Sequence, residues 1–181
     1  MEKGNLIQGK YEVLEFLGQG GMSKVYLVLD LKLEKKWAAK EIVRPQNDRE
    51  EHIYMQSAMT EVATMKRLDH PALPRIVDVV EERNGVYVIM DYIEGESLES
   101  MLKREGHLKI ETVLKWAKEL CEVLDYLHRQ EPPIIYRDMK PGNIMVSRNG
   151  SIKLIDFGSV REYKGQSKED TVCLGTRGYA A

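Results

Sequence analysis

Cysteine is scarce in this 181-residue chain: Cys121 and Cys173 are the only two. They cannot form the multi-bridge framework of a small secreted domain, and no Cys/His cluster has zinc spacing, so a reducing, cytoplasmic setting is expected. Charge of one sign is lacking too. The 27 basic and 29 acidic residues leave a formal charge of −2, which gives no bulk attraction to nucleic acid or anionic membrane; any basic site has to be local. No apolar run approaches the roughly 18 residues of a membrane span, and Met1 to Lys10 holds no signal-peptide core. The expectation is a stretch with no membrane contact and no nucleic-acid partner. Internal repeats and low-complexity linkers are also missing. What remains, 43% hydrophobic and 31% charged, has the composition and length to bury a sizeable core.

Short β-branched runs recur in the first half: Tyr11 to Leu17, Val25 to Asp30, Trp37 to Val43, Ile76 to Val80 and Val86 to Met90. Bounded by Gly18-Gln19-Gly20-Gly21 and Asn84-Gly85, they predict a five-stranded antiparallel sheet. One helix interrupts them between about His52 and Leu68, where Met55, Met59, Val62 and Met65 or Lys66 follow helical spacing until His70-Pro71. After Tyr92 the pattern changes. Ile110, Val113, Leu114, Ala117, Leu120, Cys121, Leu124 and Leu127 predict a long helix, ended by Pro132-Pro133 and followed by short strands at Ile144 to Val146 and Ile152 to Ile155. The reading is α+β: a β-rich lobe over 1–92, a helical one over 93–181, a hinge near Tyr92 to Gly95, and a ligand cleft between lobes.

Three constellations carry chemistry. Gly18 to Val25, set between two predicted strands, lets backbone N–H groups approach phosphates without Cβ obstruction. Such a hairpin is more often only a turn, and with strands on both sides it does not fit a Rossmann or Walker loop, which feeds a helix. Lys40 ends an apolar strand, and alone reads as an edge lysine. Glu61, on the helix that would cover this sheet, changes that reading, because a buried ammonium needs a carboxylate. The third constellation is Ile135-Tyr136-Arg137-Asp138-Met139-Lys140-Pro141-Gly142-Asn143 with Ile155-Asp156-Phe157-Gly158. Phosphoryl transfer needs a proton acceptor, oxygen ligands for Mg²⁺ and a cation at the moving group, and Asp138, Asn143, Asp156 and Lys140 are of these kinds.

Taken together and in this order, these motifs resemble the eukaryotic-type (Hanks-type) serine/threonine protein kinases over nearly the whole chain. Gly20-Gly21-Met22 and Pro141-Gly142-Asn143-Ile144-Met145 are most similar to the bacterial members. The resemblance implies a two-lobed kinase fold with one regulatory helix and a partial helical C-lobe, and ATP and Mg²⁺ (or Mn²⁺ in its place) as cofactors. By similarity Leu17, Gly18, Gly20, Gly21, Ser23 and Val25 cover the nucleotide, although Ser23 stands where the third glycine is usual. Lys40 contacts its phosphates and pairs with Glu61. Val25, Ala38 and Met145 line the adenine site, Met90 is the gatekeeper, and Asp91 to Ile93 form the hinge. Asp138 accepts the hydroxyl proton, Lys140 steadies the γ-phosphoryl group and marks serine/threonine specificity, and Asn143 and Asp156 hold Mg²⁺.

The same resemblance implies control by phosphorylation. Arg137 before the catalytic aspartate is the pattern of kinases whose activation loop is ordered by a phosphate, which recruits guanidinium groups. Ser159, Ser167 and Thr171 are candidate acceptors, with Thr171 preferred and Arg137 and Arg161 as its receivers; modification of Thr176 would inhibit. Met65, Ile76, Tyr136 and Phe157 match the stacked side chains that align in an active kinase.

The chain ends at Gly178-Tyr179-Ala180-Ala181, where the family pattern runs on into Pro-Glu. The expectation is a truncated domain that keeps its ATP cleft, is weak or inactive by itself, and exposes an apolar face of the Ile110 to Leu127 helix. Self-association through that face, or for trans-autophosphorylation, is expected; whether the parent is anchored to a membrane by sequence after Ala181 is left open. The leading function is phosphorylation of serine and threonine in protein substrates. The alternatives are a pseudokinase-like nucleotide-binding module and a small-molecule phosphotransferase.

Overall fold

The computed structural model describes residues 1–20, 23–43, 48–82, 85–163 and 179, the side chains of 48–54 and 57 excepted. Contacts divide the chain into two compact units: Met1–Leu68 with Pro74–Tyr92, and Asp69–Leu73 with Ile93–Ala181.

The first unit is a sheet of β1 (Leu6–Ile7), β2 (Tyr11–Gly20), β3 (Ser23–Asp30), β4 (Lys35–Val43), β5 (Ile76–Glu82) and β6 (Gly85–Asp91), with α1 (Asp48–Lys66) between β4 and β5. Its order is β1-β2-β3-β4-β6-β5, antiparallel throughout. All five expected strands are present, and the expected count is corrected by β1, whose two residues are too few to show any periodicity.

Strand alternation sorts the side chains onto two faces. Tyr26, Val28, Trp37, Ala39, Tyr87 and Ile89 form one core with Ile7, Tyr11, Val13 and Val80. Ile42, Val86 and Val88 form the other with Ala58 and Val62 of α1. On α1, Ala58, Val62 and Met65 are buried, the spacing of one helical face. Met59, placed in that stripe from the sequence, is exposed instead, because the buried arc passes through Ala58. The first core also contains a carboxylate. Tyr26 and Tyr87 each donate a hydroxyl to buried Glu41 at 3.0 Å, which satisfies a charge that would otherwise be costly to bury. Burial first, and then Glu41, pushes the Tyr26 hydroxyl up to about 12, so it remains a donor at neutral pH.

The two margins of the sheet meet. Gln8 N–H donates to Glu82 Oε1 at 2.8 Å, and Lys10 Nζ and Tyr11 Oη both donate to Asp78 Oδ2 at 2.8 Å, so the sheet is rolled around its first core. The hydrogen bond from Lys10 is the largest influence holding the Asp78 carboxyl below its ordinary range. A depressed carboxylate contributes stability that is fully present above its unfolded value of about 3.9 and is lost as pH falls through the folded one. Asp78→Asn is therefore expected to melt lower than wild type at pH 6 to 8, with the gap closing below about pH 4; thermal melts across that range check this. The effect is modest because Lys10 and Asp78 are both partly solvated.

The second unit holds β7 (Gly95–Ser97), α2 (Leu98–Glu105), α3 (Ile110–His128), β8 (Ile134–Ile135), β9 (Ile144–Ser147), β10 (Ile152–Leu154) and β11 (Arg161–Glu162), with a 3₁₀ turn at Pro141–Asn143. These strands form a β10-β9-β7 sheet and a β11-β8 pair. The long predicted helix is α3, anchored by buried Trp116, Val123 and Leu127, with Trp116 Nε1 donating to Gly150 O at 3.0 Å. At its start Ile110, Val113 and Leu114 are exposed. No helix among the described residues is long and apolar enough to cross a membrane.

Gly95 leads β7 onto β9 so closely that a Cβ there would lie 2.0 Å from Val146 O. The obstacle is backbone and cannot swing aside. Gly95→Ala is expected to destabilise the protein by about 3 kcal/mol, read as a lowered midpoint in urea.

Candidate functional site

In the first unit, strand register decides which predicted residues share a face. Lys40 pairs across with Val25 on β3 and Val88 on β6, and Ala38 pairs with Met90. Residues directly opposite in a ladder point the same way, so Val25, Ala38, Lys40 and Met90 line one face, the face on which α1 packs. From α1, Glu61 reaches Lys40: Nζ to Oε1 is 2.7 Å, with each side chain only 13% exposed. A pair this sheltered holds its geometry far better than a surface pair.

Gly18 pairs with Val25 and Gly20 with Ser23 at the end of the β2–β3 hairpin. Nothing lies within 4 Å of where a Cβ on Gly18 would sit, and Ser23 Oγ is 3.8 Å from the same position on Gly20. The hairpin thus presents open backbone here. Leu17 beside it is exposed, and Gly21 lies outside the described residues. Asp91 closes β6, its N–H donating to Arg75 O at 3.0 Å and its carboxylate accepting from Arg75 Nε at 3.1 Å. The Asp91 amide, one of the backbone groups expected at the hinge, is therefore already taken. Arg75 was not singled out from the sequence, since a lone arginine before a strand carries no signal.

In the second unit, Asp138, Lys140 and Asn143 converge. Lys140 Nζ is 2.9 Å from Asp138 Oδ2. Asn143, buried, donates Nδ2 to both Asp138 O and Asp138 Oδ2 at 2.9 Å. With Nδ2 spent there, Oδ1 is the Asn143 atom left for a cation. The 3₁₀ turn closes with Asn143 N–H on Lys140 O at 2.9 Å, Pro141 starting it with the φ such a turn needs.

The Asp156 loop is tied to this turn. Ile155 N–H donates to Asn143 O at 2.9 Å, and Tyr136 Oη donates to Ile155 O. The Tyr136 and Phe157 rings meet edge to face at 5.6 Å, both buried. Arg137 and Asp156 have φ of 59° and 63°, a left-handed conformation that costs a non-glycine residue energy and that surrounding bonds must hold. Arg137 Nε donates to Ser159 O at 2.8 Å, and Gly158 N–H donates to Asp156 Oδ1 at 3.2 Å. The result is an exposed Asp156 carboxylate on a fixed backbone, joined through Ile155 to Asn143 and through it to Asp138.

Met145, on β9, pairs with Ser97 and Lys153 and is half-buried; Ile93 follows β6 and is half-buried too. Met65 is buried and Ile76 partly buried against the α1 core. Arg161 lies on β11 opposite Ile135. Ser167, Thr171 and Thr176 lie outside the described residues.

The oxygen donors Asp156 and Asn143 Oδ1 suit a hard cation such as Mg²⁺, and Lys40, a cation fixed by Glu61 on the open glycine hairpin's sheet, suits phosphate. Each set by itself thus has the chemistry that one part of Mg·ATP requires, the lysine that of the phosphates and the oxygen donors that of the cation.

Comparison with known proteins agrees with this chemistry. A family model described as the protein kinase domain matches residues 11–181. Among curated proteins, the chain is 34% identical to sperm motility kinase 2B of Mus musculus, over 95% of this chain and 34% of that one. It is 33% identical to the serine/threonine-protein kinase PknB of Mycolicibacterium smegmatis, over 96% and 28%, and 34% identical to the serine/threonine-protein kinase PrkC of Bacillus subtilis, over 86% and 23%. The chain spans about a third or less of the length of these relatives. With the match covering nearly all of the sequence, the chain belongs to the protein kinase domain family.

Proposed function

We propose that this chain carries the nucleotide site and phosphoryl-transfer residues of an ATP-dependent protein kinase acting on serine and threonine. The observation that supports it most is the bonded set Asp138, Lys140 and Asn143, tied to the Asp156 loop through Ile155. Residues 1–92 serve as the nucleotide lobe and 93–181 as part of the catalytic lobe.

In this reading the hairpin of Gly18, Gly20 and Ser23 covers the phosphates, Lys40 orients them with Glu61 holding its ammonium, and Val25, Ala38, Met90, Ile93 and Met145 shape the adenine site. Asp156 and Asn143 Oδ1 would hold Mg²⁺, which when bound would supply positive charge at the phosphate oxygens. Asp138 orients the substrate hydroxyl and takes its proton. Lys140, 2.9 Å from Asp138, offers a cation where charge develops on the transferring group. The site thus works by positioning and electrostatics rather than by covalent catalysis.

Protein substrates bearing serine or threonine, a cytoplasmic site of action, and self-association, either for phosphorylation of one copy by another or through exposed Ile110, Val113 and Leu114, belong to the same reading. So does regulation at Ser167, Thr171 or Thr176. The test is incubation with γ-labelled ATP and Mg²⁺ followed by phosphoamino-acid analysis. Label on serine or threonine supports the proposal. Nucleotide binding without transfer by the protein at its full length overturns it in favour of a binding module.

A further inference from the structure

One buried charge in the first unit has no part in the transfer chemistry described above. Glu41 follows Lys40 on β4, and successive residues of a strand point to opposite faces. The Lys40 ammonium therefore meets Glu61 of α1, while the Glu41 carboxylate, 6% exposed, enters the first core. There its two oxygens are divided between neighbouring strands. Oε2 accepts from Tyr26 of β3 and Oε1 from Tyr87 of β6, each at 3.0 Å. Tyr87 is directly opposite Glu41 in the ladder, whereas Tyr26 is opposite Ala39. The bond to Tyr26 thus runs diagonally and braces β4 against sliding along β3.

The connection continues to the glycine hairpin. Phe16 on β2 pairs with Tyr26, and their rings meet edge to face at 5.6 Å. Phe16 stands two residues before Gly18, where the hairpin backbone is open. A continuous set of contacts from Phe16 through Tyr26 and Glu41 to Tyr87 therefore crosses β2, β3, β4 and β6, behind the face that carries Lys40.

Stability alone does not call for a carboxylate here. Replacing Glu41 and both hydroxyls by apolar groups leaves none of the three unpaired, and such replacements of buried polar sets are often neutral or stabilising. What a fully bonded buried network adds is a fixed geometry. Lys40 is the next residue along the chain, about 3.8 Å away between Cα atoms, and a misplacement of about 1 Å in a positioning group can cost a hundredfold in rate.

Resting on the kinase reading above, we propose that Glu41 is a positioning residue which, through Tyr26 and Tyr87, sets the Lys40 strand against the glycine hairpin and so fixes the site for the nucleotide phosphates. The competing explanation is that the network serves only the core and the first residues, Met1 N donating to Tyr26 Oη at 3.0 Å. That role moves melting temperature and not nucleotide affinity.

The test is steady-state kinetics with ATP and a serine peptide varied separately, alongside thermal melts, on the full-length protein. Glu41→Leu combined with Tyr26→Phe and Tyr87→Phe removes the whole set together. In that triple variant KM for ATP is expected to rise by about tenfold, with KM for the peptide unchanged and melting within a few degrees of wild type. Glu41→Gln, whose amide can accept from one hydroxyl and donate to the other, keeps the wild-type KM for ATP. Tyr11→Phe, which deletes a hydroxyl of the same core bonded to Asp78, lowers melting and leaves that KM alone. If the triple variant does not fold, Tyr26→Phe decides, because it breaks the tie to β3 and keeps the one to Tyr87: a raised KM for ATP supports the inference and a wild-type value overturns it. A wild-type KM for ATP in a folded triple variant, or an equal rise in Tyr11→Phe, overturns the inference and leaves the kinase reading standing. Absence of transfer from ATP to any peptide by any form, wild type included, overturns the kinase reading itself, and this inference with it.

Discussion

Glu61→Ala is expected to lower kcat/KM for phosphoryl transfer by roughly a hundredfold while the protein stays folded. Lys40 and Glu61 are 2.7 Å apart and each 13% exposed, so removing the carboxylate leaves a largely desolvated ammonium with its main anion gone, a state that costs about 3 kcal/mol or more if the side chain stays in place. The lysine stem is flexible, and the ammonium is expected to turn toward solvent instead. Stability is then partly recovered, but the cation proposed to orient the phosphates is no longer fixed. Steady-state kinetics with ATP varied, alongside a thermal melt, separates the two effects. A melting point within a few degrees of wild type together with the kinetic loss is the predicted combination.

Asp138→Asn is expected to do more, cutting transfer by about a thousandfold or more with little change in nucleotide affinity. Asparagine keeps the shape and an oxygen acceptor for Asn143 Nδ2, now 2.9 Å from Asp138 Oδ2. It removes the negative charge that Lys140 faces at 2.9 Å and the ability to take a proton. The proposed nucleotide and cation contacts, Lys40, Asn143 and Asp156, are untouched. Binding and chemistry should therefore part company in this variant.

Much of the site was legible because its chemistry dictates residue types at short spacing. Asp138, Lys140 and Asn143 fall within one turn, and Asp156 follows after a hairpin, so the chain order itself brings them near each other. The Lys40–Glu61 pair spans 21 positions, and it was reached through an amphipathic helix and the resemblance rather than through proximity. The five long strands were readable because each is half-buried or buried on a pleated surface.

Other features gave no such signal. Helix α2 has eight residues and none is fully buried; Leu98, Met101 and Leu102 do follow helical spacing and are half-buried, but three apolar residues over two turns are too short a stripe to single out a helix. Strand β7 has three residues and exists because Gly95 can approach Val146. The pinning of the sheet margins by Asp78 joins residues 67 and 68 positions apart, a pairing that no local pattern encodes. Met59 shows the opposite: a hydrophobic residue at helical spacing lies exposed, while the smaller Ala58 is the buried one.

The central claim is that Asp138 performs chemistry in a site whose nucleotide contacts come from other residues. The measurement that meets it most directly determines Mg·ATP affinity and γ-phosphoryl transfer to serine or threonine in the same preparations of wild type and Asp138→Asn. Affinities within a few-fold of each other are expected, with transfer reduced by about a thousandfold or more in the variant. Transfer that survives Asp138→Asn, or affinity that collapses along with it, would contradict the account.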